Sequence, residues 1–400
     1  MSRRGKLDAV IAGGGVVGAA AALMLAREGL RVALVEPRQP APWQRATRDL
    51  RVFAFAPDNA ALLDDLGAWS RVLQARVQPY RRMQVWDAAG GKPLVFDADT
   101  LGQPQLGWIV ENAVLVDALW RGLAEAGVRV HSPARVVALE QQGEGVRVAL
   151  DDGLAMEAAI AIAADGGASA LRELAGIEVS RHDYGQQGVV AFVSSEQPHA
   201  AGCWQRFLPG GPVALLPFAD DAGAAAAGRL GSIVWTLPQD EAGRLLAAPT
   251  EVFERELAQA FGGELGAFRL ESERAGFPLQ RQLAREMLAG RVLVMGDAAH
   301  VMHPLAGQGV NLGVRDVAAL REALRGARAN GADPLGPRVL ARWARRRRSE
   351  AALNARAMGA INRVYSNDIP AATLLRGHAL GMAGALPPLS RALWRHAAGI

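Results

Sequence analysis

Short apolar runs alternate with helical periodicity in the first half of the chain. Residues 8–11 and 31–35 are mainly apolar runs of strand length, and the helical pattern of residues 16–27 lies between them. A second helical pattern precedes four more strand candidates, at 128–131, 135–140, 145–150 and 155–163. Strands that alternate with helices predict an α/β fold built on a mostly parallel, Rossmann-like sheet.

The pattern changes between residues 185 and 237, where short alternating or apolar runs are separated by Gly, Pro and Asp. Such runs predict an antiparallel sheet that forms a second domain. Residues 82–86 and 93–96 alternate around Gly90 and Gly91, which indicates an inserted hairpin. Four aromatic residues of the second domain are candidates for a pocket, although most are expected in the core of the sheet: Trp204, Phe207, Phe218 and Trp235.

From residue 338 onward the chain is rich in alanine and arginine, with Leu and Trp at helical spacing and breaks at Pro370 and Pro387. This pattern predicts two or three C-terminal helices. We therefore expect a cofactor-binding domain of residues 1–78, 103–180 and 281–335, a substrate domain of residues 79–102 and 181–280, and a helical segment of residues 336–400.

The composition is that of a globular protein, because half of the 400 residues are hydrophobic and 21% are charged. The single cysteine, Cys203, excludes an internal disulfide, so a reducing compartment such as the cytoplasm is expected. Residues 9–26 are uncharged and reach the length of a short membrane span. Three consecutive glycines and many alanines favour instead a strand, a turn and a helix.

The net charge of +4 argues against a dedicated nucleic-acid binder, which would carry a concentrated basic face. One basic cluster, Arg342 with Arg345 to Arg348, lies in a helical pattern and spreads around several faces. Such runs are typical of solvated helix surface. Contact with anionic lipid headgroups or with an acidic partner is the alternative interpretation.

Glycines follow the first strand in the spacing of a dinucleotide-binding turn. Gly13, Gly15 and Gly18 have the G-x-G-x-x-G spacing, and the second strand delivers Glu36 about 20 residues later. The glycines permit the tight turn, the approach of a pyrophosphate and close packing of the helix on the strand. The carboxylate of Glu36 is placed to accept hydrogen bonds from the hydroxyls of an adenosine ribose.

Arginines follow Glu36 at three-residue steps, at positions 45, 48 and 51. Arginines in this place commonly bind phosphates through charge-assisted hydrogen bonds, but any of the three is also compatible with solvated surface. We favour Arg51, because it adjoins the apolar run 52–56 and is expected to be the least accessible to water.

A second acidic turn closes the series of strands. Asp165 and Gly166 stand at the end of a strand, and Ser169 is suited to cap the short helix that follows. An acidic group and a helix start at a strand end predict a position near a phosphate or a nucleotide.

The segment from Arg291 to Asp316 combines a buried strand, an acidic turn and glycines ahead of a helical pattern. The apolar run 292–295 ends at Gly296, which places Asp297 beyond the strand, where open α/β sheets bind ligands. Three glycines between Gly307 and Gly313 precede a helical pattern expected from residue 314. Backbone N–H groups at such a helix start favour negative charge, such as that of a reduced flavin. An ordinary strand–turn–helix with glycines for packing is the alternative.

Three sequence motifs occur in the following order along the chain. They are Gly13-x-Gly15-x-x-Gly18 with Glu36, Asp165-Gly166-x-x-Ser169-x-x-Arg172, and Gly296-Asp297 continuing to HPLAGQGVNLGVRD at residues 303–316. Together they closely resemble the FAD-dependent aromatic hydroxylases with the para-hydroxybenzoate hydroxylase fold. The third block is similar to the signature of the ubiquinone-biosynthesis branch, and the segments 108–112, 184–185 and 277–279 are similar as well.

The resemblance implies roles for individual positions in a Rossmann-like FAD-binding domain. Glu36 is expected to hold the adenosine ribose, the glycine turn the pyrophosphate, and Asp297 the ribityl chain or the pyrophosphate. The backbone around Gly307 to Asn311 is expected to face the flavin ring, with Pro304 beside its reactive edge. The full expected set of cofactor-binding residues is Gly13, Gly15, Val17, Gly18, Glu36, Arg51, Asp165, Asp297, Pro304, Gly307, Gly309, Val310 and Asn311.

The resemblance also implies the reaction: NAD(P)H reduces FAD, O2 is captured as a C4a-hydroperoxide, and one oxygen is transferred to the ring of a polyprenylated phenol or quinol in ubiquinone biosynthesis. The Asp165-Gly166 block is associated with both FAD and NAD(P)H, and the chain has one GxGxxG motif. Such chemistry needs an orienting, water-excluding cavity more than an acid–base pair. No catalytic base is therefore named, although His300 and His303 invite the role.

Competing hypotheses remain at this point. Asp297, His300 and His303 have the ligand types of a two-histidine, one-carboxylate iron site, but they fall within one short turn and no metal site is expected. A non-catalytic flavin- and lipid-binding component of a biosynthetic complex, or a flavin hydroxylase of another aromatic substrate, fits the same motifs. Since a polyprenyl tail is apolar, peripheral contact of the C-terminal helices with a membrane or a partner complex is also expected.

Overall fold

The structure is a computed structural model that describes residues 6–219, 228–302, 309–365, 394, 395 and 398, with side chains described up to residue 360 of the long final helix. The first half contains β1 (Leu7–Ala12), α1 (Val16–Arg27), β2 (Val32–Val35), β3 (Val52–Phe55), α2 (Pro57–Asp65), α3 (Trp69–Gln74), β4 (Val77–Tyr80), β5 (Arg82–Asp87), β6 (Leu94–Asp97), α4 (Ala98–Leu101), β7 (Gly107–Glu111), α5 (Asn112–Glu125), β8 (Arg129–His131), β9 (Val136–Gln142), β10 (Gly145–Leu150), β11 (Ala155–Ala163) and α6 (Ala170–Leu174).

The second half contains β12 (Val179–Ser195), β13 (Gly202–Phe207), β14 (Val213–Pro217), β15 (Leu230–Pro238), α7 (Gln239–Ala247), α8 (Thr250–Ala260), β16 (Phe268–Leu270), β17 (Ala275–Ala284), β18 (Leu288–Ala289), β19 (Val292–Val294), a short 3-10 helix (Gly296–Ala298), β20 (His300–Val301), α9 (Gly309–Ala329) and α10 (Pro337–Tyr365).

The first sheet is the expected Rossmann-like sheet. Its strand order is β18-β19-β11-β1-β2-β8, and β9 and β10 extend it from β11. The central pairs β19–β11, β11–β1, β1–β2 and β2–β8 are parallel, with Ile11 opposite Ile162 on one side and Leu34 on the other. Strands β19, β1 and β2 are almost fully buried, as is the second half of β11, which explains their continuous apolar sequence, whereas the edge strand β8 is largely exposed. Helix α1 packs on β1 and β2, and α5 packs on α1.

The second sheet is mainly antiparallel and has the order β20-β17-β12-β15-β14-β13-β5-β6, with β16 paired to β12. Strands β5 and β6 form the expected hairpin, and β5 pairs with β13 in parallel. Helices α7 and α8 pack on one face around Leu245, Phe253 and Leu257. The opposite face is turned toward the first sheet and carries the cavity described below. The domain limits given above stay a prediction.

A small third sheet, β3-β7-β4, connects the two larger ones. Ile109 from this sheet packs with Phe192, Leu216 and Phe218 of the second sheet. The loops that follow β1, β2 and β11 thereby open toward the antiparallel sheet. A ligand bound at the ends of the parallel strands lies between the two large sheets.

Some elements differ from the predictions. Helix α9 already includes Gly309, whereas the sequence pattern predicted a start at residue 314. Gly313 is compatible with helix because it packs closely on Val17 of α1. Helix α7 was not predicted. The breaks at Pro370 and Pro387 lie outside the described residues. In the part of the chain that the structure describes, no helix has the length and apolarity needed to cross a membrane.

Candidate FAD and substrate site

The glycine turn between β1 and α1 packs so closely against neighbouring backbone that two of its glycines leave no room for a side chain. Gly13 has φ +101°, and a Cβ there would lie 2.2 Å from the carbonyl oxygen of Ala164. A Cβ on Gly18 would lie 2.0 Å from the carbonyl oxygen of Gly13. A Cβ on Gly15 would meet nothing within 4 Å, and Gly15 lines the cavity. The turn therefore presents bare backbone, including the start of α1, to the cavity.

Glu36 braces the turn from the end of β2. One carboxylate oxygen accepts a hydrogen bond from the N–H of Gly14 at 2.6 Å, and the other accepts from the N–H of Arg38 at 3.1 Å. Trp120 of α5 adds a second support, because its indole N–H donates to the carbonyl oxygen of Gly14 at 2.7 Å. Glu36 also lines the cavity, so its carboxylate is held at the edge of the site.

Asp165 follows β11 and lines the same cavity. One carboxylate oxygen, Oδ2, accepts a hydrogen bond from the N–H of Leu171 at 3.2 Å. The other, Oδ1, is buried and has no hydrogen-bond partner among the described residues. Ser169 caps α6 as expected, since its Oγ accepts from the N–H of Arg172 at 3.0 Å. A buried acceptor at the cavity wall suits a ligand that carries hydroxyl groups.

Arg172 ties this turn to the turn after β19. Its side chain is 1% exposed and donates to the carbonyl oxygens of Gly167 at 2.9 Å and Ala298 at 3.0 Å. Burial lowers the pKa of the guanidinium, and Glu173 partly offsets that shift. Gln282 of β17 also donates to Gly167, at 2.9 Å. Asp297, beside Ala298, is thereby placed in the cavity wall with its side chain exposed.

Helix α9 brings Gly309, Val310 and Asn311 to the cavity. The side chain of Asn311 points to the protein: its oxygen accepts from the N–H of Ala56 at 3.0 Å, and its nitrogen donates to the carbonyl oxygen of Ala54 at 2.8 Å. These bonds fix the start of the helix against β3 and α2. Pro304 and Gly307 lie outside the described residues, as does His303.

Val17 connects this helix to the glycine turn. A Cβ on Gly313 would lie 2.5 Å from Cγ2 of Val17, and a Cβ on Gly296 would lie 3.1 Å from the same side chain. Val17 also lines the cavity. Gly296 and Gly313 therefore serve close packing against Val17 of α1.

His300 belongs to a buried network and does not line the cavity. Its Nε2–H donates to the Asp316 carboxylate at 2.7 Å, and Arg347 donates to the other oxygen of that carboxylate at 2.7 Å. Burial raises the pKa of Asp316, but the charges of His300 and Arg347, with hydrogen bonds from His300 and the N–H of Gly296, outweigh it and hold the pKa below its usual value. The described residues contain no cluster of three metal-ligating side chains.

The three arginines after Glu36 have different surroundings. Arg45 donates to the carbonyl oxygen of Ala75 at 2.8 Å, and the guanidinium of Arg48 lies over the ring of Phe192. Arg51 lines the cavity, as expected of a ligand-binding residue, but it is exposed. The expectation that Arg51 is shielded from water is therefore wrong, because the strand that it precedes runs along the cavity mouth.

Glu111 and Arg76 form a buried ion pair that holds the loop carrying these arginines. The nearest carboxylate–guanidinium distance is 2.9 Å, and both side chains are almost inaccessible. Arg76 also donates to the carbonyl oxygen of Arg45 at 2.8 Å, and Glu111 accepts from the N–H of Asp49 at 2.8 Å. The Glu111–Arg76 ion pair therefore fixes the mouth of the cavity, and the sequence did not predict this pair.

One cavity of about 910 Å³ connects the glycine turn to the antiparallel sheet. The half nearest the sheet is mainly apolar, and Met83, Val190, Leu216, Val234 and Phe277 contribute to it. Tyr80 and Cys203 line this half as well, and burial raises the pKa of both groups, so that each stays uncharged.

Among the four aromatic residues considered for a pocket, Trp204 lines the cavity. Phe207, Phe218 and Trp235 belong to the hydrophobic clusters of the second sheet, as expected for core residues.

Comparison with known proteins agrees with this geometry. A family model described as FAD binding domain matches residues 6–352. The chain is 37% identical to a ubiquinone hydroxylase, UbiL, of Rhodospirillum rubrum, with 98% of this chain and 89% of the relative covered. It is 34% identical to the 3-demethoxyubiquinol 3-hydroxylase of Escherichia coli, with 98% of both chains covered. The chain belongs to the ubiquinone-biosynthesis branch of the FAD-dependent aromatic hydroxylases.

Solved structures show the same fold at low identity. The p-nitrophenol 4-monooxygenase of Pseudomonas putida superposes with a TM-score of 0.77 at 21% identity, over 98% of this chain and 97% of the other. PqsL of Pseudomonas aeruginosa, a probable FAD-dependent monooxygenase, superposes with a TM-score of 0.70 at 22% identity, over 98% of this chain and the whole of the other. The expected fold class of this hydroxylase, with FAD as its cofactor, is confirmed.

The residues present in this hydroxylase fit FAD. The space beside Gly15, which a Cβ would occupy, provides bare backbone for a pyrophosphate. Oδ1 of Asp165, which has no partner among the described residues, can accept a hydrogen bond from a hydroxyl group. Eleven of the thirteen residues expected at the cofactor are described, and their individual roles stay predictions. No local sequence pattern identifies Trp120, Arg76 or Gln282 as supports of the site, since each donates to a backbone carbonyl that is distant along the chain.

Proposed function

We propose that this hydroxylase uses FAD, NAD(P)H and O2 to hydroxylate the aromatic ring of a polyprenylated phenol or quinol in ubiquinone biosynthesis. The observation that carries the proposal is the single cavity that joins the glycine turn to an apolar sheet face. An aromatic ring with a long apolar tail suits such a wall. The two bacterial relatives, together with the human ubiquinone biosynthesis monooxygenase COQ6, support the same reaction; COQ6 is 33% identical, with 96% of this chain and 90% of COQ6 covered.

The proposed tasks of the residues follow from their positions. Glu36 accepts hydrogen bonds from the adenosine ribose, and the backbone of Gly13 to Gly18 faces the pyrophosphate. Asp165 and Asp297 would accept hydrogen bonds from hydroxyl groups of the ribityl chain, Arg51 would offer a positive charge at the mouth, and the first residues of α9 would hold the flavin. When bound, FAD supplies the redox chemistry, taking a hydride from NAD(P)H and activating O2. The chain itself orients the substrate and excludes water through the apolar wall.

The direct test combines chemistry with genetics. Purified protein is expected to be yellow and free of iron, to oxidise NAD(P)H, and to convert a prenylated phenol into a product that is heavier by one oxygen atom. With 18O2 the product is expected to gain the heavy isotope. Deleting the gene in its host is expected to make an under-hydroxylated quinone intermediate accumulate, and the structure of that intermediate identifies the ring position.

Two other outcomes correspond to the competing functions. Flavin-bound protein that forms no product with any polyprenyl phenol supports a non-catalytic component of a biosynthetic complex. Efficient hydroxylation of a different aromatic compound, together with a normal quinone profile in the deletion strain, supports a hydroxylase of another substrate. Colourless protein that contains iron contradicts the flavin assignment.

We also propose that the exposed arginines of α10 attract an anionic membrane surface, from which an apolar substrate is drawn. Arg338, Arg342 and Arg345 are exposed. Positive charge near anionic headgroups contributes about 1 kcal/mol per residue. Changing Arg342 and Arg345 to Gln is expected to weaken sedimentation with vesicles containing phosphatidylglycerol.

The matched control for this test changes two exposed arginines elsewhere, Arg129 and Arg135, to Gln. Equal binding by both double variants contradicts the membrane proposal, and loss of a co-purifying protein from the α10 variant indicates a complex instead. Deletion of α10 is unsuitable as a test, because Trp343 and Arg347 are part of the core.

A further inference from the structure

A single amide stands in the middle of the apolar wall of the cavity. Gln205 lies on β13, opposite Ala214 of β14, and Ala214 lies opposite Val234 of β15. Val234 in turn lies opposite Val190 of β12. These four residues form one row across the sheet, on the face turned away from α7 and α8, and all four line the cavity.

The alternation along β13 supports this orientation. Arg206 donates to the carbonyl oxygen of Ala260 at the end of α8 at 3.1 Å, so its side chain lies on the face that α7 and α8 cover. Trp204 packs against the cluster on that face, although part of the residue also reaches the cavity. Residues that alternate with these two point to the opposite face of the sheet. Gln205 therefore projects toward the cavity together with Cys203.

The Gln205 amide is available to a ligand in the cavity. The residue is 7% exposed and lines the cavity, and its side chain makes no hydrogen bond to any residue that the structure describes. Its amide atoms are not fully buried, so they are open to the cavity. A ligand there can exchange hydrogen bonds with the amide, which Leu or Met at the same position would not offer.

The charges around the cavity indicate what kind of ligand this is. The charged residues of its lining belong to the cofactor half and the cavity mouth: Glu36, Asp49, Arg51, Asp165 and Asp297. The sheet face contributes no charged side chain from its described residues to the lining. A carboxylate placed against this face would lack a counterion, which is unfavourable in an apolar site. A neutral phenol has an O–H donor and an oxygen acceptor, and a glutamine amide offers the matching acceptor and donors.

We propose that Gln205 is a positioning residue that hydrogen-bonds a ring oxygen of an uncharged phenol and thereby sets which ring carbon is presented for hydroxylation. The amide N–H donates to the phenol oxygen, or the amide oxygen accepts the phenolic O–H. The inference rests on the proposed function. To that function it adds the group that recognises the substrate, the Gln205 amide. It also requires that the substrate ring carry no charge where it meets this wall.

The test compares Gln205→Met with a matched control, Gln187→Met. Gln187 lies on β12, next to Gly188, and points to the opposite face of the sheet. The probes are 2-geranylphenol and its methyl ether, which lacks the O–H donor. Their Kd values are measured from the change in flavin absorbance or fluorescence, without turnover.

Wild-type protein and Gln187→Met are expected to prefer the phenol over the ether, whereas Gln205→Met is expected to bind the phenol about 3- to 10-fold more weakly, as for the loss of one or two hydrogen bonds. The ether-to-phenol ratio of Kd values is then expected to approach one. In turnover, Gln205→Met is expected to give a broader mixture of hydroxylated positions and more H2O2 per NAD(P)H oxidised.

The results distinguish failure of the Gln205 role from failure of the proposed function on which it rests. Wild-type protein that neither binds nor hydroxylates the phenol overturns the proposed function. Wild-type activity together with an unchanged Kd ratio and unchanged products in Gln205→Met overturns the role of Gln205 alone. If Gln205→Met does not fold with bound FAD, Gln205→Leu is measured in the same way and carries the same expectations.

Discussion

Individual buried charges show how strongly a residue's role depends on its partners. Arg345 to Arg348 form a basic run that the sequence pattern assigns to solvated surface, yet Arg347 is 2% exposed and bonds to Asp316. Arg346, its neighbour, is 58% exposed and pairs with Glu350 and Glu322. Position on the helix therefore decides which arginine is structural.

Replacing each of these two arginines is expected to give clearly different results. Arg347→Met leaves the buried Asp316 carboxylate with one cation fewer, so the free energy of unfolding is expected to fall by about 3–5 kcal/mol. Arg346→Met removes only exposed pairs and is expected to change it by less than about 1 kcal/mol. Urea unfolding of the apoprotein measures both. Similar values for the two variants would show that the buried network contributes no more than the surface pairs.

His199 gives the folded protein a dependence on pH. It is 2% exposed, and burial lowers its pKa from the ordinary 6.5 to about 4. The unfolded chain therefore takes up a proton at this residue below pH 6.5, whereas the folded chain does so near pH 4. The stabilisation is complete above pH 6.5 and is lost as the pH falls toward 4, by about 2 kcal/mol at pH 5.

His199→Asn is expected to reduce this loss, because the Asn oxygen can replace Nδ1 as acceptor for the N–H of Ala201 and does not titrate. Unfolding free energies at pH 7 and pH 5 provide the comparison. An identical decrease in wild type and variant would assign the pH dependence to other groups.

Close packing between helices α9 and α1 explains why a glycine is needed at position 313. Gly313 lies inside α9, where its missing side chain lets the helix approach Val17 of α1 and the turn at Gly296. Gly326 lies on the same helix, is exposed, and has nothing within 4 Å of a notional Cβ. The two glycines therefore differ in their surroundings but share the helical backbone.

Substitution by alanine is expected to act in opposite directions at these two positions. Gly313→Ala overpacks the α1–α9 contact and is expected to destabilise the apoprotein by about 1–3 kcal/mol, with partial rescue by Val17→Ala. Gly326→Ala is expected to stabilise it by up to about 1 kcal/mol, because alanine favours the helix. Thermal unfolding of the three variants checks the pair. A stabilising Gly313→Ala would show that the close contact is absent in solution.

Element types followed from the sequence wherever the periodicity was long and regular. The helix predicted at residues 16–27 matches α1, and the apolar runs 8–11 and 292–295 correspond to β1 and β19. Boundaries near glycines were less predictable. The start of α9 was placed too late, because glycine disfavours helix in isolation and the packing that offsets this comes from α1, almost 300 residues earlier.

For the molecule as a whole, the cavity between the sheets couples cofactor binding to stability. FAD that binds only the folded chain is expected to raise the free energy of unfolding by about 2.7 kcal/mol when its free concentration is 100 times Kd. Gly15→Ala places a methyl group in the cavity without a clash against protein atoms. It is expected to change the stability of the apoprotein by less than about 1 kcal/mol and to weaken FAD binding.

Thermal shifts measured over a series of FAD concentrations test this linkage, with Gly326→Ala as the control that keeps the wild-type increment. If Gly15→Ala keeps the full FAD-dependent shift, the turn at Gly15 does not contact the cofactor. If the wild type itself shows no shift with FAD, the cavity does not bind FAD under those conditions.

The sequence determined the local chemistry of this hydroxylase. Glycine spacing, the acid after the second strand and the uninterrupted apolar runs act over a few residues, so they identify the FAD-binding turn and the parallel sheet without knowledge of the rest. Contacts between distant segments were decided by the tertiary structure. Trp120 on the Gly14 carbonyl, Arg347 on Asp316 and Gln205 in the cavity wall depend on which elements the fold brings together, and no local pattern of residues encodes that proximity.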